Sequence, residues 1–576
     1  MSLLAFVQLT KQPTRDQPPM LAKSGALTIG GRVTTGSGRD ARPVRHAVLR
    51  LQREGDRAER AVNSDRTGGF LFDGVPAGAY RLVASKPGFV AGGYGARDAQ
   101  GPSALDVKTS TTADVTLTRA GAIEGVLADA SGEPLQNIMV AADFLEANGN
   151  WRTAERTRTD DLGRYRIHSL RPGDYRVMAV NDAEWSAGQF VLPGERRPDM
   201  APLYYPASSK PDGAKTITVT EGRDVTGIDI SYTLPPPIVI PDAPRPQLPG
   251  AGTVAGTGRI AGRVTTEGGR PIKGASLFVV RTDGQSMSKP ARTDAQGRFA
   301  VTELPAGKFQ VSAAADRYLG FMFGQRRSNE PGTPIELIEG GSFTTADIRL
   351  PRQVGIEGTI LDEFGDPAPS VTVVPARWMY AGGRKRIIPM EGRGLRQTTD
   401  DRGHYRIYGL APGDYFVTTQ VGIFGDAIDL GGYAPTYYPG TADGSGATTV
   451  QPTTGADVLN ASFSLVAVRT VTVSGLAVDG GGQPVSGAAV TLSLSDRAGR
   501  AEIRTTRAAA GSDGRFVLAN VPPGPYTLQG FGPPPTGGRQ PWPAGDFGWT
   551  PISVGDADID DVVIRITPAA RCGAAS

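Results

Sequence analysis

The sequence predicts an all-β chain built as a tandem array of five antiparallel, seven-stranded β-sandwiches. Three observations carry that prediction. One short unit recurs five times with fixed internal spacing. Gly and Pro are abundant, at 77 and 46 of 576 residues, which suits many short strands joined by tight turns. The stretches between turns alternate apolar and polar residues, the pattern of strands with one face buried.

The recurring unit is clearest at Asp294-Ala295-Gln296-Gly297-Arg298-Phe299, followed by Leu304-Pro305-Ala306-Gly307-Lys308-Phe309. The other copies centre on Gly68, Gly163, Gly403 and Gly514, and in each a second Gly follows ten residues later (Gly78, Gly173, Gly413, Gly524). An aromatic stands two residues after each Gly: Phe70 and Tyr80, Tyr165 and Tyr175, Phe299 and Phe309, Tyr405 and Tyr415, Phe516 and Tyr526. Asp-x-x-Gly is turn chemistry, because the Asp side chain bonds the backbone ahead of it and Gly accepts a positive φ. The expected element is strand, tight turn, strand, with the two aromatics in the core. Asp65, Asp160, Asp294 and Asp400 are therefore read as structural turn residues, and the fifth copy has Gly511 at that place.

Upstream of each turn lies an opening strand: Ile29–Val33, Ile123–Val126, Ile260–Val264, Ile356–Ile360 and Val473–Leu476. A Pro follows, and four residues after it a small or branched apolar residue opens the second strand (Pro43/Ala47, Pro134/Ile138, Pro271/Ala275, Pro367/Val371, Pro484/Ala488). Copies two and four share Tyr-Tyr-Pro, and copies one and three share Thr-Ala-Asp, both at an offset of 233 residues. The order is thus A-B, linker, A-B and one further copy. The boundaries are a tail at 1–26, sandwiches at 27–119, 120–234, 258–351, 352–466 and 467–568, a Pro-rich linker at 235–257 and a tail at 569–576. The array is expected to be elongated. The short A–B joint at Arg119-Ala120 leaves room for docking inside each pair.

The order G-x-V, P with a small residue four on, D-x-x-G-R-F and L-P-A-G-x-Y resembles the carboxypeptidase regulatory-like domain. The resemblance covers all five copies and implies an Ig-like, transthyretin-like sandwich close to carbohydrate-binding-like folds. That domain brings no catalytic residues with it. The Tyr-Tyr-Pro variant is similar to multi-copy bacterial proteins of the cell exterior.

Catalytic, metal and cofactor sites are not expected. The net charge is +3, so no nucleic-acid partner is implied. The three histidines, His46, His168 and His404, fall in different copies without His-Glu-x-x-His spacing, and His168 and His404 are read as facing solvent. A histidine–carboxylate cluster across copies would point to an enzyme; none is expected. Asp160-Asp161, Asp400-Asp401 and Asp560-Asp561 are read as solvated turn acids. Cys572 stands alone, so no disulfide forms within the chain. No membrane span is present, and Met1–Val7 is too short for a signal core.

Aromatics remain as candidate ligand-binding residues: Tyr204, Tyr205, Tyr437, Tyr438, Trp378, Tyr380, Trp542 and Trp549. Sugar rings stack on exposed aromatic faces, since their CH faces are apolar while their hydroxyls stay wet. The alternative is that these rings pack under their own loops or between copies. The expected function is non-catalytic binding of polysaccharide or cell-envelope glycan at the cell surface, outside the cell or in the periplasm. A spacer or scaffold docking other envelope proteins is the alternative, and an accessory subunit of a peptidase a remote one.

Overall fold

The computed structural model describes residues 27–567, apart from 37, 56–58, 97–102, 131, 181–194, 197–201, 233–237, 240–255, 283–287, 328–329, 382–383, 391, 393, 421–432, 496–500 and 533–545. Both tails, most of the linker and Trp542 lie outside the described residues. No α-helix occurs among the described residues, and so no helix there is long and apolar enough to cross a membrane.

In the first copy the opening strand Leu27–Thr35 lies in the middle of one sheet. It runs antiparallel to Gly69–Val75 and parallel to the short pieces Thr111–Thr112 and Val115–Thr116. The second sheet runs Glu59–Asn63, Val48–Arg53, Gly78–Ser85, with Gly92–Gly93 and Leu105–Val107 along its far edge. The apolar residues of both sheets, among them Ile29 and Phe72 from one and Leu49 and Leu82 from the other, meet in one cluster. Four further clusters of the same kind follow along the chain among the described residues. All ten unit aromatics are buried in them, none more than 7% exposed.

The antiparallel reading holds for the hairpins but not for the closing strands, which run parallel to the opening strands. The reason is connectivity. The chain returns to the free edge of the opening strand from the opposite sheet, by a crossover and not by a hairpin. The contact is close. At Gly31, Gly125, Gly262, Gly358 and Gly475 a Cβ would stand 2.4, 2.1, 2.3, 2.3 and 2.0 Å from a closing-segment carbonyl oxygen. This explains the Gly of the opening strand, since a side chain of any size would push the closing segment off the sheet.

The turn is built the same way in four copies. The Asp65 carboxylate accepts from the amides of Thr67 and Gly69, and Asp160, Asp294 and Asp400 repeat the pattern. The residue before each Asp is a buried hydroxyl that joins two segments. Thr399 Oγ1 accepts from Val371 N at 2.9 Å and donates to the Ala368 carbonyl at 2.7 Å. Ser64, Thr159 and Thr293 do the same, while the fifth copy has Ala510. Thr399→Val keeps the shape but strands a buried donor and a buried acceptor. It is expected to destabilise the fourth copy by about 1–3 kcal/mol, read as a lower urea midpoint for the transition that includes Trp378 fluorescence.

Candidate binding surfaces and the interface between copies

The expected elongated array is overturned by contacts between distant copies. The turns that carry Asp160-Asp161 and Asp400-Asp401 face each other, and each sends an acid to the other's arginine. Arg166 grips Asp401 through two bonds of 2.7 Å, and Arg406 grips Asp161 through bonds of 2.5 and 2.8 Å. Arg166 and Arg406 occupy the same place in copies two and four, as do Asp161 and Asp401, so the contact is a pseudo-two-fold pairing inside one chain. Each arginine is also held by acids of its own copy: Arg166 by Glu124 and Asp224, Arg406 by Glu357 and Asp457. Arg164 reaches Glu357 at 2.6 Å, and Arg402 reaches Glu124 and Asp224.

The solvated-acid reading of Asp161 and Asp401 is thus corrected. Both acids are largely withdrawn from water by a bidentate guanidinium from the other copy. The two halves touch again at their ends. Arg317 of copy three pairs with Glu133 of copy two. In the matching place, Asp366 of copy four accepts from Lys86 at 2.9 Å and from Arg45 at 3.3 Å, with His46 Nδ1 also 3.3 Å away. The His46 ring stacks on Phe364 with centroids 3.8 Å apart. A histidine–carboxylate contact across copies therefore does form, against expectation. Its other members, Lys86 and Arg45, are cationic donors converging on one carboxylate, the chemistry of an anchor. The remaining histidines are half-buried at least: His168 Nδ1 lies 3.0 Å from Ser169 Oγ, and His404 Nε2 lies 3.6 Å from Glu357.

A cavity of about 360 Å³ opens at this junction, lined by Asp161, Arg352, Gln353, Arg406 and Asp457. Its carboxylates are already spent on Arg406. Among the described residues no group of acids, histidines and cysteines is arranged to hold a metal ion.

The candidate aromatics divide by exposure. Tyr204 is 7% exposed, lies under the Arg176 guanidinium and offers no free face. Tyr205 and Tyr438 are half-buried against the cores of their own copies, and Tyr438 meets Phe463 edge-on. Tyr437 is also half-buried and pairs through its backbone with Thr441. By contrast, Trp378 and Tyr380 stand 47% and 80% exposed on the hairpin Thr372–Ala381 and Arg384–Pro389. The Lys385 ammonium sits 5.1 Å over the Trp378 ring. Trp549 is 60% exposed on the edge strand Phe547–Val554, two residues from Phe547. Sequence reading missed Trp151, which lies 4.7 Å from the same Arg176 guanidinium that covers Tyr204. Nothing in its local sequence links it to Tyr204, 53 residues on.

Residues 28–118, 259–351 and 472–531 match the model of the carboxypeptidase regulatory-like domain. The three matched regions fall in copies one, three and five. Among curated proteins none matches. Solved structures similar to the chain include the minor pilin GBS52 of Streptococcus agalactiae, at 14% identity over 38% of this chain and 100% of that one, TM-score 0.22. The TIE protein of Bacillus anthracis is 11% identical over 77% and 75%, TM-score 0.16. The major pilin subunit BcpA of Bacillus cereus is 13% identical over 54% and 99%, TM-score 0.14.

Electrostatics make the pairing of the copies acid-sensitive. Burial works against the charge of Glu357, but hydrogen bonds from His404 and Arg164 and the nearby guanidinium groups bring its pKa from 4.5 down to about 2. Burial likewise opposes Asp401 and Asp366, yet Arg166 for the first and Lys86 with His46 for the second hold them below the ordinary range. Asp160 moves up, because burial outweighs Arg164. A lowered carboxylate stabilises in full above its unfolded pKa, and that stability is lost as pH falls through the folded value. Asp160 has the opposite sign and offsets part of this. The two halves are expected to stay together from neutral pH down to about 4.5 and to separate as pH falls toward 2, seen as a rise in the X-ray scattering radius of the full chain.

Single substitutions should rank by burial. The Arg406 side chain is 4% exposed and holds three acids, so Arg406→Ala leaves buried unpaired charge and is expected to cost about 3–5 kcal/mol. Arg402 is 55% exposed, and Arg402→Ala should cost at most about 1 kcal/mol. The denaturant midpoint for loss of an inter-copy distance signal between copies two and four separates the two cases.

Proposed function

We propose that this chain is a non-catalytic binding protein working outside the cytoplasm, and that its ligand is a polysaccharide or cell-envelope glycan. The observation that carries the reading is the exposed pair Trp378 and Tyr380. Residues two apart on a strand project from the same side, about 7 Å from each other. Two exposed rings at that spacing, Trp378 edge-on to Phe416 and with Lys385 over it, would offer a surface on which successive sugar units can stack. Lys385, exposed and beside Trp378, supplies a charged donor for hydroxyl or carboxylate groups at the platform's edge. Trp549 on the fifth copy would be a second, separate contact. Two weak sites on one chain gain avidity on a polymeric ligand.

A second reading is favoured by the ion-paired junction of the copies. A body whose halves are locked together by buried arginines is suited to holding binding surfaces at fixed positions, as a scaffold for other envelope proteins. The readings part on a polysaccharide pull-down with the intact chain. Trp378→Ala with Tyr380→Ala is expected to weaken glycan binding at least roughly tenfold, about 1.4 kcal/mol. Tyr204→Ala should instead lower stability, because that ring is buried. If the intact chain retains no polysaccharide of a broad panel, the glycan reading fails and the scaffold remains.

A further inference from the structure

Copies two and four share a surface on the second sheet, on the side turned away from the core, and copy two closes it with its own residues. There the strand Met139–Leu145 pairs with Gly173–Val180, and Asp143 stands opposite Arg176. Val140 and Ala142 point into the core, so Asp143 points out. The Arg176 guanidinium donates to the Asp143 carboxylate at 3.1 Å and lies 4.7 Å from the Trp151 ring and 5.3 Å from the Tyr204 ring. A cation set against aromatic rings is thus neutralised by a carboxylate of the same copy. The group is shut off from water, with the Arg176 and Asp143 side chains 16% and 7% exposed.

Copy four keeps the aromatic and the cation and loses the acid. Thr372–Ala381 pairs with Phe416–Gln420, and Ala376 opposite Phe416 takes the place of Asp143 opposite Arg176. Trp378 stands where copy two has Leu145, the register partner of Trp151. The Lys385 ammonium lies over the Trp378 ring. Lys385 is opposite Tyr380 in register, so Lys385, Trp378 and Tyr380 share one side of the hairpin. From Thr372 to Met390 the chain carries Arg377, Arg384, Lys385 and Arg386 and no acid. The matching stretch Met139–Arg158 sets Asp143, Glu146 and Glu155 against Arg152, Arg156 and Arg158. Among the described residues no carboxylate pairs with Lys385. The loop that approaches Ile387 at Gly444 carries Asp443, but that carboxylate accepts from Ser445 N at 3.0 Å and from Ser445 Oγ at 2.8 Å.

We infer that the ligand of this surface is an acidic polysaccharide, one whose sugar units carry carboxylates. The inference rests on the glycan reading above and narrows it. In copy two the carboxylate beside the cation and the aromatic comes from the chain. In copy four it comes from the ligand: a uronate unit lies against the Trp378 and Tyr380 side while its carboxylate pairs with Lys385. An uncharged sugar would leave the ammonium without its anion, and a cationic one would be repelled by the whole hairpin.

The test uses the full chain and three carboxylated polymers, polygalacturonate, alginate and hyaluronan, each titrated beside its own fully methyl-esterified form. The backbone is then constant and only the charge differs. At least one acidic form should bind roughly fivefold tighter than its ester, the size of one exposed ion pair, and the difference should shrink as salt is raised. Lys385→Gln should bring the two forms together with an unchanged melting curve, since Lys385 is exposed. Lys308→Gln removes the same charge from an exposed site on copy three, where Glu336 lies 3.9 Å away, and should keep the preference. Equal binding of acid and ester by the intact chain, or binding confined to neutral glycans, overturns the inference and leaves the glycan reading standing. A preference that survives Lys385→Gln, or that Lys308→Gln lowers as much, also overturns it. Retention of no polysaccharide at all removes the glycan reading and this inference with it.

Discussion

Each copy depends on one close approach of backbone to backbone. The closing segment passes so near the opening strand that a carbonyl oxygen lies where a Cβ would be, at Gly31, Gly125, Gly262, Gly358 and Gly475. That contact sets the parallel pairing of first and last strands and closes the sheet over the core. It also sets the aromatics. In register, each of these glycines lies opposite the first unit aromatic, from Phe70 to Phe516. The missing side chain leaves the space that the ring edge fills: a Cβ at Gly125 or Gly358 would stand 3.0 or 2.9 Å from the tyrosine oxygen of Tyr165 or Tyr405. In the B copies that hydroxyl donates to the same carbonyl, Tyr405 to Ala461 at 2.6 Å, so the crowded group is also hydrogen-bonded.

With the sandwich closed, the outer face of its opening sheet is free to be used in several ways. In copies two and four it carries a guanidinium surrounded by acids, and the two faces satisfy each other. Arginine suits the place because its planar fork reaches several carboxylates at once and stays charged when withdrawn from water. The pairing is specific as well as cohesive, since a half-matched contact would bury charge without a partner. At the junctions the same logic is repeated with different residues, Glu133 with Arg317 on one side and Asp366 with Lys86, Arg45 and His46 on the other.

The aromatic residues show how one residue type serves opposite ends. Tyr175, Tyr415 and Tyr526 are buried, and their hydroxyls turn back to a carbonyl four residues earlier, at 2.8, 2.7 and 2.9 Å. Tyr204 and Tyr438 are drawn in by neighbours that come from other strands, Arg176 and Phe463. Trp378, Tyr380 and Trp549 lie on an extended hairpin and an edge strand and stay 47%, 80% and 60% exposed, Trp378 edge-on to Phe416. Among the described candidate aromatics, the last group is the most exposed.

The sequence by itself determined the turns, the alternating strands, the buried pairs of aromatics and the all-β class. These follow from residues within about ten positions of one another, where backbone geometry and side-chain alternation act locally. Even there it concealed the hydroxyl of Ser64, Thr159, Thr293 and Thr399, because both partners of each hydroxyl lie outside the turn. Only the tertiary structure decided which copies meet and which aromatics stay open. Arg166 and Asp401 are separated by 235 residues, and each looks like an ordinary surface charge beside a turn. Burial of that pair depends on the chain folding back on itself, a matter of long-range shape and charge that no local pattern encodes.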